Sequence, residues 1–420
     1  MGKAIISGPR GMYDILPDRI HQWRHLEDSA RSLFSLFGYS EIRTPLVEET
    51  QLFARGIGET TDIVTKEMYT FADRKGRSLT LRPEGTASIV RAYVEHKLYA
   101  QQALAKLYYM GPMFRYERPQ AGRNRQFFQI GAEAFGSLSP LLDFELIDLA
   151  DSFFDRVGFK RLNLMLNSLG CAADRRNYAE SLRAYFSDKL PMLCPDCIER
   201  LEKNPLRVLD CKVEACKALA AGAPPPLDHL CEDCTQHFKM LCSLLEGAGI
   251  QYVVDPRLVR GLDYYTRTVF EFQHPDLGAR AAICGGGRYD NLVEEIGGPP
   301  TPASGFSIGV EATLLAMEKE ELLAPHEEPP VAFICSIGER ALREAALLAA
   351  RLRNTGIKVE VDYEGRSLKA QMKMAHRLGV RFALILGEEE LARDSARMRE
   401  MATGEEALVS LRKIPARLAS

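Results

Sequence analysis

Two runs of alternating apolar and polar residues, joined by a charged loop, constrain the fold of this chain more than any other feature. They are LYYMGPMFRY and FFQIGAEAFG, within residues 107 to 138. A period of two places successive side chains on opposite faces of a strand, and two such runs close together in the chain favour a hairpin. The sequence therefore predicts a long antiparallel hairpin whose loop is too charged to lie in a core.

Helix and strand patterns alternate on both sides of this hairpin. The first predicted helix, residues 18 to 37, has apolar positions that include Trp23, Leu26, Ala30 and Leu33. GYSEIRTPLVEE follows as a strand that Pro45 interrupts or confines to a sheet edge. SLTLRPEGTASIVRAYVEH predicts a strand, a turn at Pro83 and a helix that begins near Thr86, where unpaired backbone N–H groups face outward.

The remaining patterns divide the chain into segments. Residues 170 to 250 are mainly helical and are predicted to be an insertion. LAPHEEPP, residues 323 to 330, is the best linker, which sets a domain boundary at about residue 325. Beyond it, VAFICSI, KVEVDY and RFALILG alternate with helical patterns, which predicts a separate α/β domain.

The length and composition limit the class of protein. At 420 residues the chain can hold two or three domains. The stretch MGKAIISGPRGMYDILP does not resemble a signal peptide, and no segment approaches the roughly 18 apolar residues of a membrane span, so we expect a cytoplasmic protein. The net charge of −3 does not decide for or against nucleic acid, because a binding protein can confine its basic residues to one groove.

Six of the ten cysteines lie between positions 194 and 234, four of them as CPDC and CEDC. Two such pairs match the spacing with which thiolates from two turns converge on one tetrahedral zinc ion. The favoured ligands are Cys194, Cys197, Cys231 and Cys234, with Cys211 and Cys216 as substitutes. The alternative is a set of reduced core residues or redox-labile thiols, since structural disulfides are not expected in a reducing compartment.

The hairpin loop, MFRYERPQAGRNRQFFQ, is strongly basic. Its charged residues are Arg115, Glu117, Arg118, Arg123 and Arg125. A solvated hairpin tip would account for this charge, but Arg115 occupies a strand position where an exposed arginine is not needed. Guanidinium groups suit phosphate because they stay charged and present paired donors.

A further arginine, Arg260, directly precedes the strand predicted in LVRGLDYYTRTVFEF. One face of that strand is predicted to carry Thr266, Thr268, Phe270 and Phe272. Arg260 either pairs with Asp263 or is directed at an anion. Downstream, the glycines of CGGGRYDNL either mark a tight turn or let a substrate approach the backbone closely, and no dinucleotide-type phosphate loop is present.

In this order, RPEGT, FRYERPQAGRNRQFFQ, RGLDYYT, GGGRYD and GFSIGVE resemble the histidyl-tRNA synthetases, a family of class II aminoacyl-tRNA synthetases. The resemblance covers nearly the whole chain. It implies an α+β catalytic domain at 1–325 with a mixed, largely antiparallel sheet, interrupted by the helical 170–250 insertion. It also implies an α/β anticodon-binding domain at 326–420, and a homodimer to whose interface GYSEIRTPLVEE contributes.

The resemblance implies that ATP with Mg²⁺ activates L-histidine. Arg260 and Arg115 are the implied catalytic residues, which hold the α-phosphate that the histidine carboxylate attacks while pyrophosphate leaves. Glu117 and Arg123 complete the implied ATP site, and Mg²⁺ neutralises the pyrophosphate.

The implied histidine site combines these two arginines with polar and aromatic residues. The others are Glu84, Thr86, Gln129, Glu133, Tyr264, Tyr265 and Tyr289. Glu84 and Thr86 would meet the ammonium group, and Gln129 the carboxylate region. Glu133 and the tyrosines would lie at the imidazole, where buried polar partners penalise a ligand without ring nitrogens. Glu133 could instead be a core acid paired with Arg115.

Transfer of histidine to tRNA(His) is the implied second step, with Arg118, Gln120 and Arg125 at the acceptor end. The alternative function is a non-catalytic, synthetase-like regulatory subunit of ATP phosphoribosyltransferase, but such relatives typically lack RGLDYYT and the C-terminal domain. This chain departs from the family at one position. The third class II motif normally ends in an arginine that holds the γ-phosphate, and here that position is Ala312.

Overall fold

The structure is a computed structural model that describes residues 5–59, 61–120, 122–280, 282–323 and 329–419. The chain divides into two compact units, Met1–Ala324 and Pro325–Ser420. Most of the linker predicted at residues 323 to 330, with the predicted domain boundary, lies outside the described residues. Among the helices that the structure describes, none is long and apolar enough to cross a membrane.

The strands of the first unit form one large sheet and one small one. They are β1 (Ser40–Glu41), β2 (Val47–Glu49), β3 (Tyr69–Ala72), β4 (Ser78–Leu81), β5 (Ala105–Phe114), β6 (Gln126–Phe135), β7 (Asn163–Ser168), β8 (Tyr252–Val254), β9 (Thr266–Gln273), β10 (Ala282–Arg288) and β11 (Ala303–Gly309). The large sheet has the order β1-β5-β6-β11-β10-β9-β7-β8, and the small sheet has the order β2-β4-β3. Only the outer pairs β1–β5 and β7–β8 of the large sheet are parallel among the described strands, which confirms a mixed, largely antiparallel sheet.

The predicted hairpin is the β5–β6 pair. Its register runs from Ala105 opposite Phe135 to Phe114 opposite Gln126. The backbone N–H of Arg115 donates to Arg125 O at 2.9 Å and extends the pairing into the loop. Because β6 also pairs with β11, this hairpin brings its loop to the end of the sheet where β11 runs into a helix.

Ten helices of the described part of this unit cover the sheet. They are α1 (Ile20–Leu36), α2 (Thr50–Ile57), α3 (Thr86–Glu95), α4 (Pro140–Arg156), α5 (Ala172–Phe186), α6 (Pro195–Lys203), α7 (Glu214–Ala220), α8 (Glu232–Ala248), α9 (Leu292–Glu295) and α10 (Val310–Lys319). Trp23, Leu26, Ala30 and Leu33 of α1 are buried, as their spacing predicts. The predominantly helical character of residues 170 to 250 is also observed in α5 to α8.

The two faces of the large sheet belong to different cores. One core joins α1, α4, α8 and α10 to side chains such as Phe270 and Phe306. The other joins α3 and α5 to α7 to side chains on the opposite face, such as Tyr109 and Val269. Alternate residues of one strand enter different cores because successive side chains point to opposite faces. The second face carries the site described below.

The second unit has a five-stranded sheet in the order β13-β12-β14-β15-β16 within its described residues. Its strands are β12 (Ala332–Ser336), β13 (Val359–Val361), β14 (Phe382–Leu386), β15 (Ser395–Glu400) and β16 (Glu406–Ser410). Its helices are α11 (Glu339–Asn354), α12 (Leu368–Arg377), α13 (Glu388–Ala392) and α14 (Ile414–Leu418). The first three strands are parallel, which confirms the βαβαβ pattern, and β15 and β16 add an antiparallel hairpin.

Candidate active site

A cavity of about 550 Å³ opens on the second face of the large sheet. Several residues predicted from the sequence line it, namely Glu84, Thr86, Arg115, Arg123, Gln129, Arg260, Tyr264 and Tyr265. A neighbouring cavity of about 500 Å³ shares Arg115 and Arg123 and adds Glu117. Segments that are far apart in the chain therefore meet in one concave region, which is the usual form of a small-molecule site.

The turn before α3 fixes two polar groups at this cavity. The buried Glu84 carboxylate accepts hydrogen bonds from the backbone N–H groups of Thr86 and Ala87, each at 2.7 Å. These N–H groups lie in the first turn of the helix and have no partner within it. Burial raises the pKa of Glu84. Arg115 is tied to the same turn, because its Nε donates to Pro83 O at 2.9 Å.

Glu133 on β6 lies directly behind Thr86. Its buried carboxylate accepts hydrogen bonds from Thr86 Oγ1, at 2.6 Å, and from the hydroxyl of Tyr289. Burial raises the pKa of Glu133 to about 8. A Cβ built on Gly305, which lines the cavity, would overlap the Glu133 carboxylate, so only glycine fits there. The alternative pairing of Glu133 with Arg115 is wrong, because its partners are the two hydroxyl groups.

The three predicted tyrosines form one aromatic cluster. The ring centroids of Tyr264 and Tyr265 are 4.7 Å apart, and those of Tyr264 and Tyr289 are 5.5 Å apart. All three rings are buried, and Tyr264 and Tyr265 reach the cavity. Burial raises the pKa of each phenol, so the hydroxyl groups are neutral donors and acceptors at the edge of the cavity.

Two buried polar atoms on the cavity wall have no hydrogen-bond partner among the described residues. They are Gln129 Oε1 and Arg260 Nε. The other end of the Gln129 amide is held, because Nε2 donates to Ser307 Oγ at 3.3 Å. Most buried polar atoms in proteins are hydrogen-bonded, so each exception calls for an explanation such as a functional role or a bound water or ion. Both residues line the cavity, so these atoms belong to side chains that border it.

Arg260 is held by Glu271 of β9, with which its Nη1 forms an ion pair. The pairing with Asp263 that the sequence allows is not what holds Arg260, and the Asp263 carboxylate accepts from Asn204 Nδ2 at 2.8 Å. The guanidinium lies across Gly285 of β10, where a Cβ would be 2.3 Å from Arg260 Nη2. The glycines of CGGGRYDNL thus lie within a strand and not in a tight turn.

Glu117 separates two arginines at the junction of the cavities. Its carboxylate is 3.9 Å from Arg115 Nη1 and 3.6 Å from Arg123 Nη1. Ala312, at the first turn of α10, also lines both cavities. The position at which the family has an arginine is therefore beside Arg115 and Arg123.

The residues predicted to meet the acceptor end lie outside both cavities. Arg118 and Gln120 are exposed. The Arg125 guanidinium is half-buried and packs over the Tyr116 ring, 3.8 Å from its centroid. These side chains form a basic rim on the loop and do not contribute to the cavity walls.

Several cavity residues were not predicted from the sequence. Glu271 and Ser307 come from β9 and β11, and Asp210 and Lys212 come from the segment before α7. Glu271 is the single acid in β9 and lies between Phe270 and Phe272, which is a signal that could have identified it. Asp210 and Lys212 flank Cys211. The cysteine pattern therefore draws attention to this segment, but it does not predict that the two charged side chains line a cavity.

Arg288 of the GGGRYD motif is fully buried and has a structural role. It forms an ion pair with Asp143 of α4 at 2.7 Å and donates to Ser137 O at 2.7 Å. The same carboxylate is bonded to His237 Nε2 and Thr268 Oγ1, each at 2.7 Å. Although burial opposes it, the charge of Arg288 lowers the pKa of Asp143 to about 2. This network links α4, α8, β9 and β10 beneath the cavity.

The cysteines do not assemble as the sequence predicts. Cys194 and Cys197 lie with Cys211 and Cys216, whereas Cys231 and Cys234 lie with Cys171 and Asp174. All ten cysteines are free thiols. The predicted ligand set of Cys194, Cys197, Cys231 and Cys234 is therefore corrected, because its two pairs belong to different clusters.

Comparison with known proteins gives one family for the whole chain. Residues 11–313 match the family model described as histidyl-tRNA synthetase, and residues 331–420 match one described as an anticodon binding domain. The chain is 52% identical to the histidine–tRNA ligase of Desulforamulus reducens, over 98% of each chain. It is 50% identical to that of Halothermothrix orenii, over 97% of each.

A solved structure is similar over the same extent. The apo histidyl-tRNA synthetase of S. aureus is 39% identical and superposes with a TM-score of 0.84, covering 99% of this chain and 100% of that one. The order of the motifs, the cavity that they build and the full-length similarity agree. The chain belongs to the histidyl-tRNA synthetase family.

Proposed function

We propose that this chain is a histidine–tRNA ligase, which activates L-histidine with ATP and transfers it to the 3′ end of tRNA(His). The observation that carries the proposal is the convergence of Arg115 and Arg260 with the polar groups of Glu84, Thr86 and Gln129 in one cavity. Full-length relatives of about half identity favour this function over a regulatory subunit of ATP phosphoribosyltransferase. The retained RGLDYYT segment and second unit agree with it.

In the proposed histidine site, Glu84 and Thr86 meet the ammonium group. The Glu84 carboxylate already lines the cavity, and its backbone bonds prevent it from turning away. Gln129 lines the cavity and is assigned to the carboxylate region of the ligand. Because Nε2 is bonded to Ser307, the orientation of this amide is set before the ligand binds.

The imidazole side is assigned to Tyr264, Tyr265 and the Thr86–Glu133–Tyr289 chain of hydrogen bonds. This chain is buried and fully paired, so it holds its members in fixed orientations. An amino acid without ring nitrogens would cover the hydroxyl groups of Tyr264 and Tyr265 without offering them a hydrogen bond, which costs about 1–3 kcal/mol for each group. We infer that specificity for histidine arises from this penalty.

In the proposed activation step, the histidine carboxylate oxygen attacks the α-phosphorus of Mg·ATP. A new O–P bond forms as the bond to the β-phosphate oxygen breaks, and pyrophosphate leaves. Arg260 and Arg115 stabilise the negative charge that accumulates on the α-phosphate. Both are anchored in advance, Arg260 by Glu271 and Arg115 by Pro83 O, so little reorganisation is needed.

Arg123 and Glu117 complete the proposed ATP site. Arg123 reaches both cavities and is the cation placed to meet the γ-phosphate. The Glu117 carboxylate lies between Arg115 and Arg123, 3.9 and 3.6 Å from their Nη1 atoms, and would position these two cations for different phosphates. Mg²⁺ bound to the ATP phosphates would supply positive charge for the leaving pyrophosphate.

The tRNA contacts are assigned to polar side chains of the hairpin loop that lie outside the cavities. Arg118, Gln120 and Arg125 form the rim that would receive the acceptor end. The anticodon-binding domain is assigned to residues 326–420, and the catalytic domain to 1–325 with its insertion at 170–250. The match of the second unit to an anticodon-binding family model supports this division.

A homodimer is part of the proposal. One face of the small sheet is mostly apolar, because the strand register places together Val47, Tyr69, Phe71, Leu79 and Leu81, with one acid, Glu49. Val47 and Phe71 are 36% and 45% exposed. Such an apolar face suits a second copy of the chain. Sedimentation analysis should give a dimer that Phe71→Glu converts to monomer, whereas Arg74→Glu in the adjacent turn should not. A monomeric wild-type protein would refute the dimer.

The function is tested by ATP–pyrophosphate exchange with each amino acid in turn, with and without tRNA. Exchange should depend on histidine and should not need tRNA, and charging of tRNA(His) should follow when tRNA is added. Absence of histidine-dependent exchange in a folded protein would refute the proposal.

A further inference from the structure

The segment between α5 and α8 brings four thiols to one point. The Sγ atoms of Cys194, Cys197, Cys211 and Cys216 all lie within 4.8 Å of one another, and those of Cys194 and Cys211 are 3.9 Å apart. Four thiolates around a zinc ion at about 2.3 Å are separated by roughly 3.8 Å in a tetrahedron. A disulfide would require about 2.05 Å. The spacing therefore fits a shared metal ion and not cross-linked sulfurs.

The backbone around these cysteines supports thiolates. The N–H of Cys194 donates to Cys216 Sγ at 3.3 Å, and the N–H of Val213 donates to Cys211 Sγ at 3.5 Å. Hydrogen bonds from N–H groups favour the charged form of their acceptor. Cys194 also directly precedes α6, so that CPDC places two thiols at the start of a helix.

A bound metal ion would stabilise the two short helices of this segment. Helices α6 and α7 have only 9 and 7 residues. Isolated helices shorter than about 12 residues are marginal in water. A metal bound by Cys194 and Cys197 on one side and by Cys211 and Cys216 on the other would join these two helices directly.

The second thiol cluster is a weaker candidate. Its members are Cys171, Asp174, Cys231 and Cys234. Asp174 already caps two chain segments, because its carboxylate accepts from the N–H groups of Cys171 and Cys231 at 3.1 and 3.0 Å. Cys231 is exposed, whereas three of the four thiols in the first cluster are buried. The first cluster is the closed, all-sulfur site that structural zinc prefers.

We propose that Cys194, Cys197, Cys211 and Cys216 bind one Zn²⁺ as a structural tetrathiolate, and that this ion fixes the adjacent wall of the cavities. Cys211 lies between Asp210 and Lys212, and both neighbours line both cavities. Cys194 and Cys211 themselves border the second cavity. The inference rests on the geometry of the thiols and does not require the proposed function.

Metal analysis of the full chain, purified without chelator, tests the ligand set. About one zinc per chain is expected, as for a closed four-thiolate site. Cys211→Ser should lose most of this zinc, whereas Cys231→Ser, at an exposed thiol of the other cluster, should retain it. Zinc that is lost only from the Cys231→Ser protein would overturn the assignment.

Two measurements on the unaltered chain keep the proposal testable if Cys211→Ser fails to fold. Titration with a mercurial should release the zinc as four thiols react. Reconstitution of chelated protein with Co²⁺ alone should give the visible absorption of a tetrahedral cobalt–thiolate centre, and with Zn²⁺ should restore amide exchange protection at residues 209–213. A folded protein without zinc, in which these four thiols react freely and Co²⁺ gives no such absorption, would refute the site.

Discussion

The guanidinium of Arg260 occupies the space in which a side chain at Gly285 would lie. A Cβ at Gly285 would be 2.3 Å from Nη2 and 2.5 Å from Cζ of Arg260. Strand β10 therefore has no side chain at the point where Arg260 crosses it. Glu271, which lies on the neighbouring strand β9 and is paired with Gly285, holds the guanidinium there by an ion pair. The position of Arg260 depends on a residue that has no side chain.

Gly285→Ala should therefore reduce activation while the protein remains folded. The added methyl group meets the end of a flexible side chain, so Arg260 should move and the strand should stay. We expect histidine-dependent pyrophosphate exchange to fall by about 10²–10³-fold, as when a preorganised charge donor is removed. Gly247→Ala is the control, because a Cβ there meets no atom within 4 Å. Normal exchange in Gly285→Ala would contradict this role for Arg260.

Arg260→Ala should keep ATP binding and lose about 10²–10³-fold in the rate of the activation step. The reason is that Arg260 is assigned to charge that appears at the α-phosphate in the transition state. The double variant Arg260→Ala with Glu271→Gln also removes the negative charge that Arg260→Ala leaves without its ion-pair partner. Single-turnover adenylate formation should be equally slow in both variants. Recovery of the rate in the double variant would show that the exposed Glu271 charge, and not the loss of Arg260, causes the defect.

The sequence predicts structure within short segments better than it predicts which distant residues meet at the site. The β5–β6 hairpin, the α1 face and the turn at Pro83 follow from periodicity and turn residues, which act over short stretches. The ion-pair partner of Arg260 does not follow from periodicity or turn residues. Asp263 is nearer in the chain, but its N–H is bonded to Ile57 O, and the strand brings Glu271 to the guanidinium instead.

The cysteines illustrate the same limit. A Cys-x-x-Cys spacing places two thiols together because it needs only one turn of chain, but it does not determine which pairs meet. Here Cys231 lies at the start of α8 with Cys171, whereas Cys194 at the start of α6 meets Cys216 of α7. The packing of four helices decides this, and no local pattern encodes it.

Glu133→Gln should change the pH dependence of stability. Burial raises the pKa of Glu133 from 4.5 to about 8, so between these values the folded state holds a proton that the unfolded state releases. The free energy of unfolding should therefore decrease as pH rises through this window. Because a glutamine at this position cannot bind or release this proton, the free energy of unfolding of Glu133→Gln should fall less steeply with pH than that of the wild type, by about 1.4 kcal/mol per pH unit. Urea unfolding followed by Trp23, the single tryptophan, reports on the first unit.

The control for this experiment is Glu318→Gln, at an exposed position on α10. It should have the same slope as the wild-type protein. Equal slopes for Glu133→Gln and the wild type would mean that Glu133 titrates at the same pH in the folded and unfolded chain.

Asp143→Asn should destabilise the first unit by about 3–5 kcal/mol, because it removes the buried carboxylate that Arg288 contacts at 2.7 Å and leaves only Asp290, at 3.1 Å, to balance the buried charge. Both side chains of this pair are fully buried. Asp155→Asn is the control, since Asp155 is exposed and 4.0 Å from Lys160. Urea unfolding followed by Trp23 should show a large loss only for Asp143→Asn. A decrease in the free energy of unfolding of less than about 1 kcal/mol would mean that the Asp143–Arg288 pair contributes no more than a surface ion pair.

Ala312 lies beside the loop that carries Arg123. Ala312 lines both cavities at the first turn of α10, and a Cβ at Gly122 would be 3.8 Å from the Ala312 Cα. The loop that carries Arg123 therefore lies against the position where the family has its γ-phosphate arginine. We infer that Arg123 replaces this arginine, so Arg123→Ala should raise the KM for ATP more in the wild-type chain than in Ala312→Arg.

Ala312→Arg should lower the KM for ATP, because a second guanidinium would reach the γ-phosphate. A hydrogen bond to a charged group contributes roughly 1.5–3 kcal/mol, which corresponds to about a 10- to 150-fold change. The rate of the chemical step should change less, since Arg260 and Arg115 act at the α-phosphate where the bond forms. Ala312→Met, an uncharged long side chain, controls for bulk and should not lower KM. An unchanged KM in Ala312→Arg, or loss of activity, would mean that the cavity is shaped around alanine and that the γ-phosphate binds elsewhere.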